Sequence, residues 1–122
     1  MRMKNNSEQL ETFVNSLVRD LSFNKNLPPD FLVWIVDFFK TKYAKDLDVP
    51  SVCFVDDSEF QIDWSFGQFE IYLDVDFHTK HSEFQVDDTE TRSVHEVLEF
   101  DLNTEEGCQH LNERIRDYSK AV

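Results

Sequence analysis

Apolar side chains follow two rhythms along this chain. From Ser7 to Asn24 they fall at Leu10, Phe13, Val14, Leu17, Val18 and Leu21. That spacing keeps them on one face of a helix. Asn5 with Glu8, or Asn6 with Gln9, offers a capping-box start, and Phe23 to Asn26 reads as a turn. Pro29 suits the first turn of a second helix, which runs through the unbroken apolar stretch Phe31 to Val36 and on to Leu47. A helix apolar all round for more than a turn is expected to be buried on more than one side. The alternative is that Val33, Trp34 or Val36 meets a partner, most simply a second copy of the chain. Lys40, Lys42 and Lys45 near its end complement the helix dipole.

After Asp48-Val49-Pro50 the period becomes two. Val52 to Val55 makes a short strand, and Asp56-Asp57-Ser58 turns it into the central hairpin. There Phe60, Ile62, Trp64 and Phe66 alternate with polar residues, as do Phe69, Ile71, Leu73, Val75 and Phe77. Gly67-Gln68 between them suits a two-residue type II′ turn. That loop sets Phe66 against Phe69, Trp64 against Ile71, Ile62 against Leu73 and Phe60 against Val75. Every inward pair is apolar, and a slip of one residue would bury carboxylates. A second two-residue loop at Thr79-Lys80 is expected to pair Val75 with Phe84 and Leu73 with Val86. The last strand, Val94 to Leu102, turns Leu98, Phe100 and Leu102 inward, and the broken alternation at Val94 to Val97 marks a bulge. Asn103 to Glu106 caps a third helix with a thin stripe of Cys108, Leu111, Ile115 and Tyr118. Gly107 weakens that helix by up to about 1 kcal/mol relative to Ala and allows close approach to the sheet.

These elements predict an α+β fold in one domain, 1–122. Two N-terminal helices precede a four- or five-stranded antiparallel meander and one C-terminal helix, with the helices on one sheet face and the acidic face outward.

Composition sharpens the picture. The 122 residues carry a net charge of −13, with twelve Phe, two Gly, three Pro and two Cys. Cys53 and Cys108 form no spaced set, so they read as small buried hydrophobes rather than a disulfide or zinc framework. Residues 51–106 hold sixteen Asp or Glu against only Lys80 and Arg92, so the excess charge belongs to the sheet. Direct phosphate contact with nucleic acid is disfavoured and a basic partner favoured. Residues 1–13 have no apolar h-region and no apolar run is long enough to span a membrane, so a cytoplasmic location is expected.

Extending the registers brings acids together on the outward face. Glu59, Asp76 and Glu83 fall side by side, joined by Asp101 if Phe84 pairs with Phe100. The next rows are Gln61, Asp74, Gln85 and Glu99, then Asp63, Tyr72, Asp87 and Val97. Such a face serves solubility, a basic protein partner or a divalent cation. A cation is the weakest reading, because no loop has EF-hand spacing. The expected partner-binding residues are Glu59, Asp63, Glu70, Tyr72, Asp74, Asp76, Glu83, Asp87, Glu99 and Asp101, with Tyr72 as an interface anchor. His78 and His81 flank a turn near Asp76, His95 lies near Asp87 or Asp88, and Cys108 does not share a helix face with His110. None builds a catalytic motif. The expectation is a non-enzymatic binding protein, a homodimer, with no cofactor and no metal. The runner-up is a small-molecule binder or enzyme with a pocket between the second helix and the sheet, near Trp34 and Trp64.

Asp63-Trp64-Ser65-Phe66, followed by Phe69-Glu70-Ile71-Tyr72-Leu73-Asp74-Val75-Asp76, resembles the hairpin of small bacterial proteins carried on mobile elements, of the integron gene cassette type. The resemblance covers the hairpin and, loosely, the next strand and the last helix. It implies no particular activity, but it fits a cargo role such as immunity, antitoxin or anti-defence.

Overall fold

A computed structural model describes residues 6–54 and 58–121. The cap expected at Asn5, the end of the first strand at Val55 and the turn at Asp56-Asp57 lie outside them. The described residues form an α+β fold of three helices and a five-stranded antiparallel sheet. None of the described helices is long and apolar enough to cross a membrane. The chain divides into two compact units, Met1–Val49 and Pro50–Val122.

In the first unit, α1 (Asn6–Ser22) buries Leu10, Val14, Leu17 and Leu21, the stripe that helical spacing demands. The second helix is shorter than its sequence suggests. Regular α2 spans Pro29–Asp37, and a π-helical turn, Phe38–Lys42, ends it. The Tyr43 N–H donates to the Phe38 carbonyl five residues back at 2.9 Å. The Thr41 hydroxyl donates to the Asp37 carbonyl at 2.8 Å, a side-chain bond that competes with the helical ladder. Tyr43 then turns extended, and its hydroxyl donates to the Asp48 carbonyl. The wider turn lets consecutive Phe38 and Phe39 both be buried. Their rings stand 5.1 Å apart edge to face, and Phe39 also meets Phe13 at 5.0 Å.

The second unit is the sheet with α3. Strands β1 (Ser51–Phe54), β2 (Glu59–Phe66), β3 (Phe69–Asp76), β4 (His81–Asp88) and β5 (Ser93–Asp101) lie in chain order as a meander. The β2–β3 register is the one the alternation demands, from Phe66–Phe69 to Glu59–Asp76. Gly67 has φ 58°, while Gln68 stays negative, as a type II′ turn requires.

The β3–β4 register differs from expectation by two residues. Leu73 pairs with Phe84, Ile71 with Val86 and Val75 with Ser82. The connection is four residues long, Phe77 to Lys80. The Asp76 carboxylate accepts the N–H groups of His78 and Thr79, each at 2.8 Å, and Lys80 closes the loop at φ 59°. The β4–β5 loop has the same build: Asp88 accepts from Glu90 and Thr91, and Arg92 closes it at φ 56°. The position opposite Val75 thus falls to a small residue. Buried Ser82 fills it and donates to the Phe100 carbonyl at 3.1 Å. The pairing expected between Phe84 and Phe100 is likewise Phe84 with Leu98, and the bulge lies at His95, between the Asp87–Val94 and Val86–Glu96 pairs.

Helix α3 (Glu105–Lys120) lies on the inward face, with Thr104 capping the Gly107 N–H at 3.0 Å. The Tyr118 ring sits 5.1 Å from Phe69 and 6.5 Å from Phe84. A Cβ on Gly107 would lie 2.0 Å from the Asp101 carbonyl oxygen, so glycine is what lets the helix start so close to the end of β5.

Candidate functional site

Outward positions along the sheet form rows across neighbouring strands, about 4.8 Å apart. All ten expected residues stand at such positions. With the observed registers, one row runs Glu59, Asp76, His81, Asp101. The next is Cys53, Gln61, Asp74, Glu83, Glu99, and the third Ser51, Asp63, Tyr72, Gln85, Val97. The fourth is Ser65, Glu70, Asp87, Val94. Glu83 therefore leaves the Asp76 row and stands between Asp74 and Glu99, while Asp87 moves beside Glu70. Nine carboxylates share this face, and no strand position on it holds Lys or Arg.

Four carboxylate pairs face each other directly: Glu59–Asp76, Asp74–Glu83, Glu83–Glu99 and Glu70–Asp87. Like charges so placed oppose the fold. Neutral donors relieve part of this. Gln61 Nε2 donates to Asp74 at 3.0 Å, Ser65 to Glu70 at 2.5 Å and Gln85 Nε2 to Asp87 at 2.8 Å. Among the described residues, the rows offer one histidine ion pair, His81 Nε2 at 3.7 Å from Glu99, with both side chains exposed. Such a pair adds little.

Asp63 stands apart. Its Oδ1 is buried and accepts no hydrogen bond. Burial first, then the charges of Asp74 and Glu70, push its carboxyl above the ordinary carboxylate value. Burial followed by the surrounding carboxylates also raises the half-buried Tyr72 hydroxyl opposite it. Cys53 is exposed rather than buried as expected; partial desolvation of its thiol, then the charges of Asp63 and Asp74, raise it, which disfavours the reactive thiolate. Asp76 also organises backbone, because N–H bonds from Thr79 and His78 hold its carboxyl below the ordinary value.

A depression of about 440 Å³ opens at the acidic end of the face, lined by Glu59, Asp74, Asp76, Thr79, His81, Glu83 and Glu99. Among the described residues, no three His, Cys, Asp or Glu side chains converge as a metal site. The histidines are dispersed. His78 is exposed on its loop, His110 lies 3.9 Å from Glu106, and the His95 ring rests 5.1 Å from Phe69 and 6.1 Å from Tyr118. Trp34 stacks on Phe38 at 5.4 Å, and Trp64 is buried on the inward face.

One charged cluster escaped the sequence pattern. Glu96 points inward, where alternation calls for an apolar side chain. Arg114 donates to its Oε1 from Nη2 at 2.6 Å and Nε at 3.1 Å, and the Tyr118 hydroxyl donates at 3.0 Å. Arg114 also lies 5.1 Å over the Tyr118 ring. The pairing locks α3 to β5 and accounts for an acid on the apolar side. Its sequence signal was Glu96 within the broken alternation together with the helix stripe.

Comparisons with protein-family models, curated proteins and solved structures find no match to this chain.

Proposed function

We propose that this chain is a non-enzymatic binding protein whose acidic sheet face engages a basic protein partner, in an immunity, antitoxin or anti-defence type of role. The observation that carries the reading is the segregation of charge. Nine carboxylates occupy one face with no Lys or Arg among its strand positions, and four pairs are held in direct opposition. A face kept soluble needs charges but not opposed ones; a cationic partner relieves that repulsion on binding. Half-buried Tyr72 supplies an amphipathic anchor within the field.

The test is capture of basic proteins from the native host by the wild-type chain and by a variant carrying Asp74→Lys and Glu83→Lys. Asp76 is left intact because its carboxylate holds the β3–β4 loop. The wild type should retain a basic protein that elutes with salt, and the folded variant should not. Equal capture by both refutes the reading.

Self-association is part of this proposal. Val33 on α2 is 71% exposed and Phe23 81% exposed, large apolar surfaces suited to a second copy. Sedimentation tests it: a Val33→Asp variant should run as a monomer where the wild type dimerises. A small-molecule reading at a different place from the pocket expected near Trp34 and Trp64 has one observation behind it, a depression of about 290 Å³ in the first unit, where Leu10, Val14 and Phe39 are flanked by Glu11, Asn15, Lys40 and Lys45. A ligand retained through purification and lost in Val14→Trp would favour it.

A further inference from the structure

The rim of the acidic face ends on an incomplete sheet. β5 is the last strand in the order, and among the described residues it pairs with β4 alone. A strand paired on one side turns every second N–H and C=O toward its free edge, where another strand can continue the ladder. Edges are commonly blunted by Lys, by Pro or by shortness. β5 has nine residues and neither Lys nor Pro, and beyond the bulge its pairing with β4 is regular; the Asp101 carbonyl is already taken by the Thr104 N–H at 3.2 Å and the Thr104 hydroxyl at 2.8 Å, so the stretch open to a new strand is Glu96 to Phe100. Val94 and Val97 stand 57% and 52% exposed on its outward side, and Glu99 and Asp101 follow them.

We infer that the basic partner adds to this edge as a sixth strand, with Lys or Arg facing Glu99 and Asp101 and an apolar residue facing Val97. This rests on the proposed reading of the acidic face and names how the partner seats there. Charge complementarity selects the occupant. A second copy joined β5 to β5 would set two carboxylate faces in one plane with no strand Lys or Arg between them, each on a chain of net charge −13. A basic strand meets the opposite situation. Its main chain continues the ladder along Glu96 to Phe100, and its alternate side chains bring one cation to the Glu83–Glu99 row and a second toward the exposed Asp101 side chain beyond it. An antiparallel strand would read basic, any, basic, any, apolar.

The probe is a synthetic peptide, Thr-Lys-Thr-Lys-Thr-Val-Thr-Val-Thr, titrated into the full ¹⁵N-labelled chain. Controls are a scramble with adjacent lysines and a version with Glu in place of Lys. The alternating peptide should slow amide exchange along residues 96–100 at least tenfold. It should bind several-fold tighter than the scramble, weaken roughly threefold to tenfold in Glu99→Gln with Asp101→Asn, and weaken further in high salt. If both lysine peptides bind equally, shifting Asp74 and Glu83 but leaving β5 exchange unchanged, the edge inference falls and the face reading stands. If neither lysine peptide binds, both fall. If β5 is protected without peptide and in step with dimer in sedimentation, the edge belongs to a second copy and the inference is overturned.

Discussion

Glu83→Lys should stabilise this protein while removing its proposed binding. Glu83 stands on the outward face of β4 directly between Asp74 and Glu99. Side chains opposed across an antiparallel pair approach to about 5 Å. At that distance in water two unit charges interact by about 0.8 kcal/mol, and physiological salt roughly halves this. Reversing the central charge converts two repulsions into two attractions, a swing of about 1.6 kcal/mol before side-chain splaying. Exposed pairs measured elsewhere return less than their Coulomb value, so about 1 kcal/mol of added stability is expected, or a rise in Tm of roughly 3–6 °C. The assay is thermal and urea unfolding of the wild type, Glu83→Gln and Glu83→Lys at low and high salt. Gln should fall between the other two, and the gain should shrink as salt rises. No gain at low salt, or a gain indifferent to salt, would refute the row electrostatics. A residue whose replacement raises stability but abolishes capture bears the signature of selection for function at the expense of the fold.

Three other substitutions probe the same sheet. Gly107→Ala gains up to about 1 kcal/mol of helix propensity but sets a Cβ 2.0 Å from the Asp101 carbonyl oxygen; overpacking of roughly 1–3 kcal/mol or more should win, and a stabilised variant in urea unfolding would contradict it. Asp76→Ala removes the acceptor that organises the β3–β4 loop and should cost about 1 kcal/mol. Because the folded carboxyl sits below its unfolded value, that contribution is present above about pH 4 and fades as pH falls through the folded pKa, so the two proteins' acid-unfolding curves should converge. Asp63 has the opposite sign. Its raised carboxyl favours the protonated form, so its contribution falls as pH climbs from about 4 through the folded pKa, and Asp63→Asn should remove that decline in a pH series and be the more stable at neutral pH.

How far the sequence could be read depends on which symmetry each feature breaks. A period of two decides which face a side chain takes, because a slip of one residue exchanges the faces. It says nothing about a slip of two. The shift at β3–β4 was of that kind, so all ten acidic-face positions were placed on the right side while their neighbours were not. Glu83 moved from beside Asp76 to between Asp74 and Glu99, and Phe84 from Phe100 to Leu98. The deciding information was local loop chemistry. Asp76 and Asp88 each begin a four-residue loop, accept N–H groups two and three residues on, and end on a basic residue at positive φ. An aspartate capping its own turn is a recognised signal, and the same five-residue frame recurs twelve residues later. Reading Asp76 as a loop cap rather than another surface acid would have set the register.

Two other misreadings have a different origin, because their causes lie in side-chain contacts rather than in periodicity. Lys42-Tyr43-Ala44-Lys45 suits a helix by propensity, and the Thr41 hydroxyl on the Asp37 carbonyl, the Tyr43 hydroxyl on the Asp48 carbonyl and the burial of both Phe38 and Phe39 explain why it stops. Glu96 violates the inward apolar pattern because Arg114, eighteen residues away on α3, compensates it. That compensation also sharpens the functional argument. Of the two strand acids turned inward, Glu96 receives Arg114 and Asp88 receives the Gln68 amide and the Glu90 and Thr91 N–H groups, while the strand positions of the outward face hold no lysine or arginine. The inward acids are thus satisfied within the fold, and the nine outward ones, relieved only in part by neutral donors, form the surface to which the proposal assigns a basic partner.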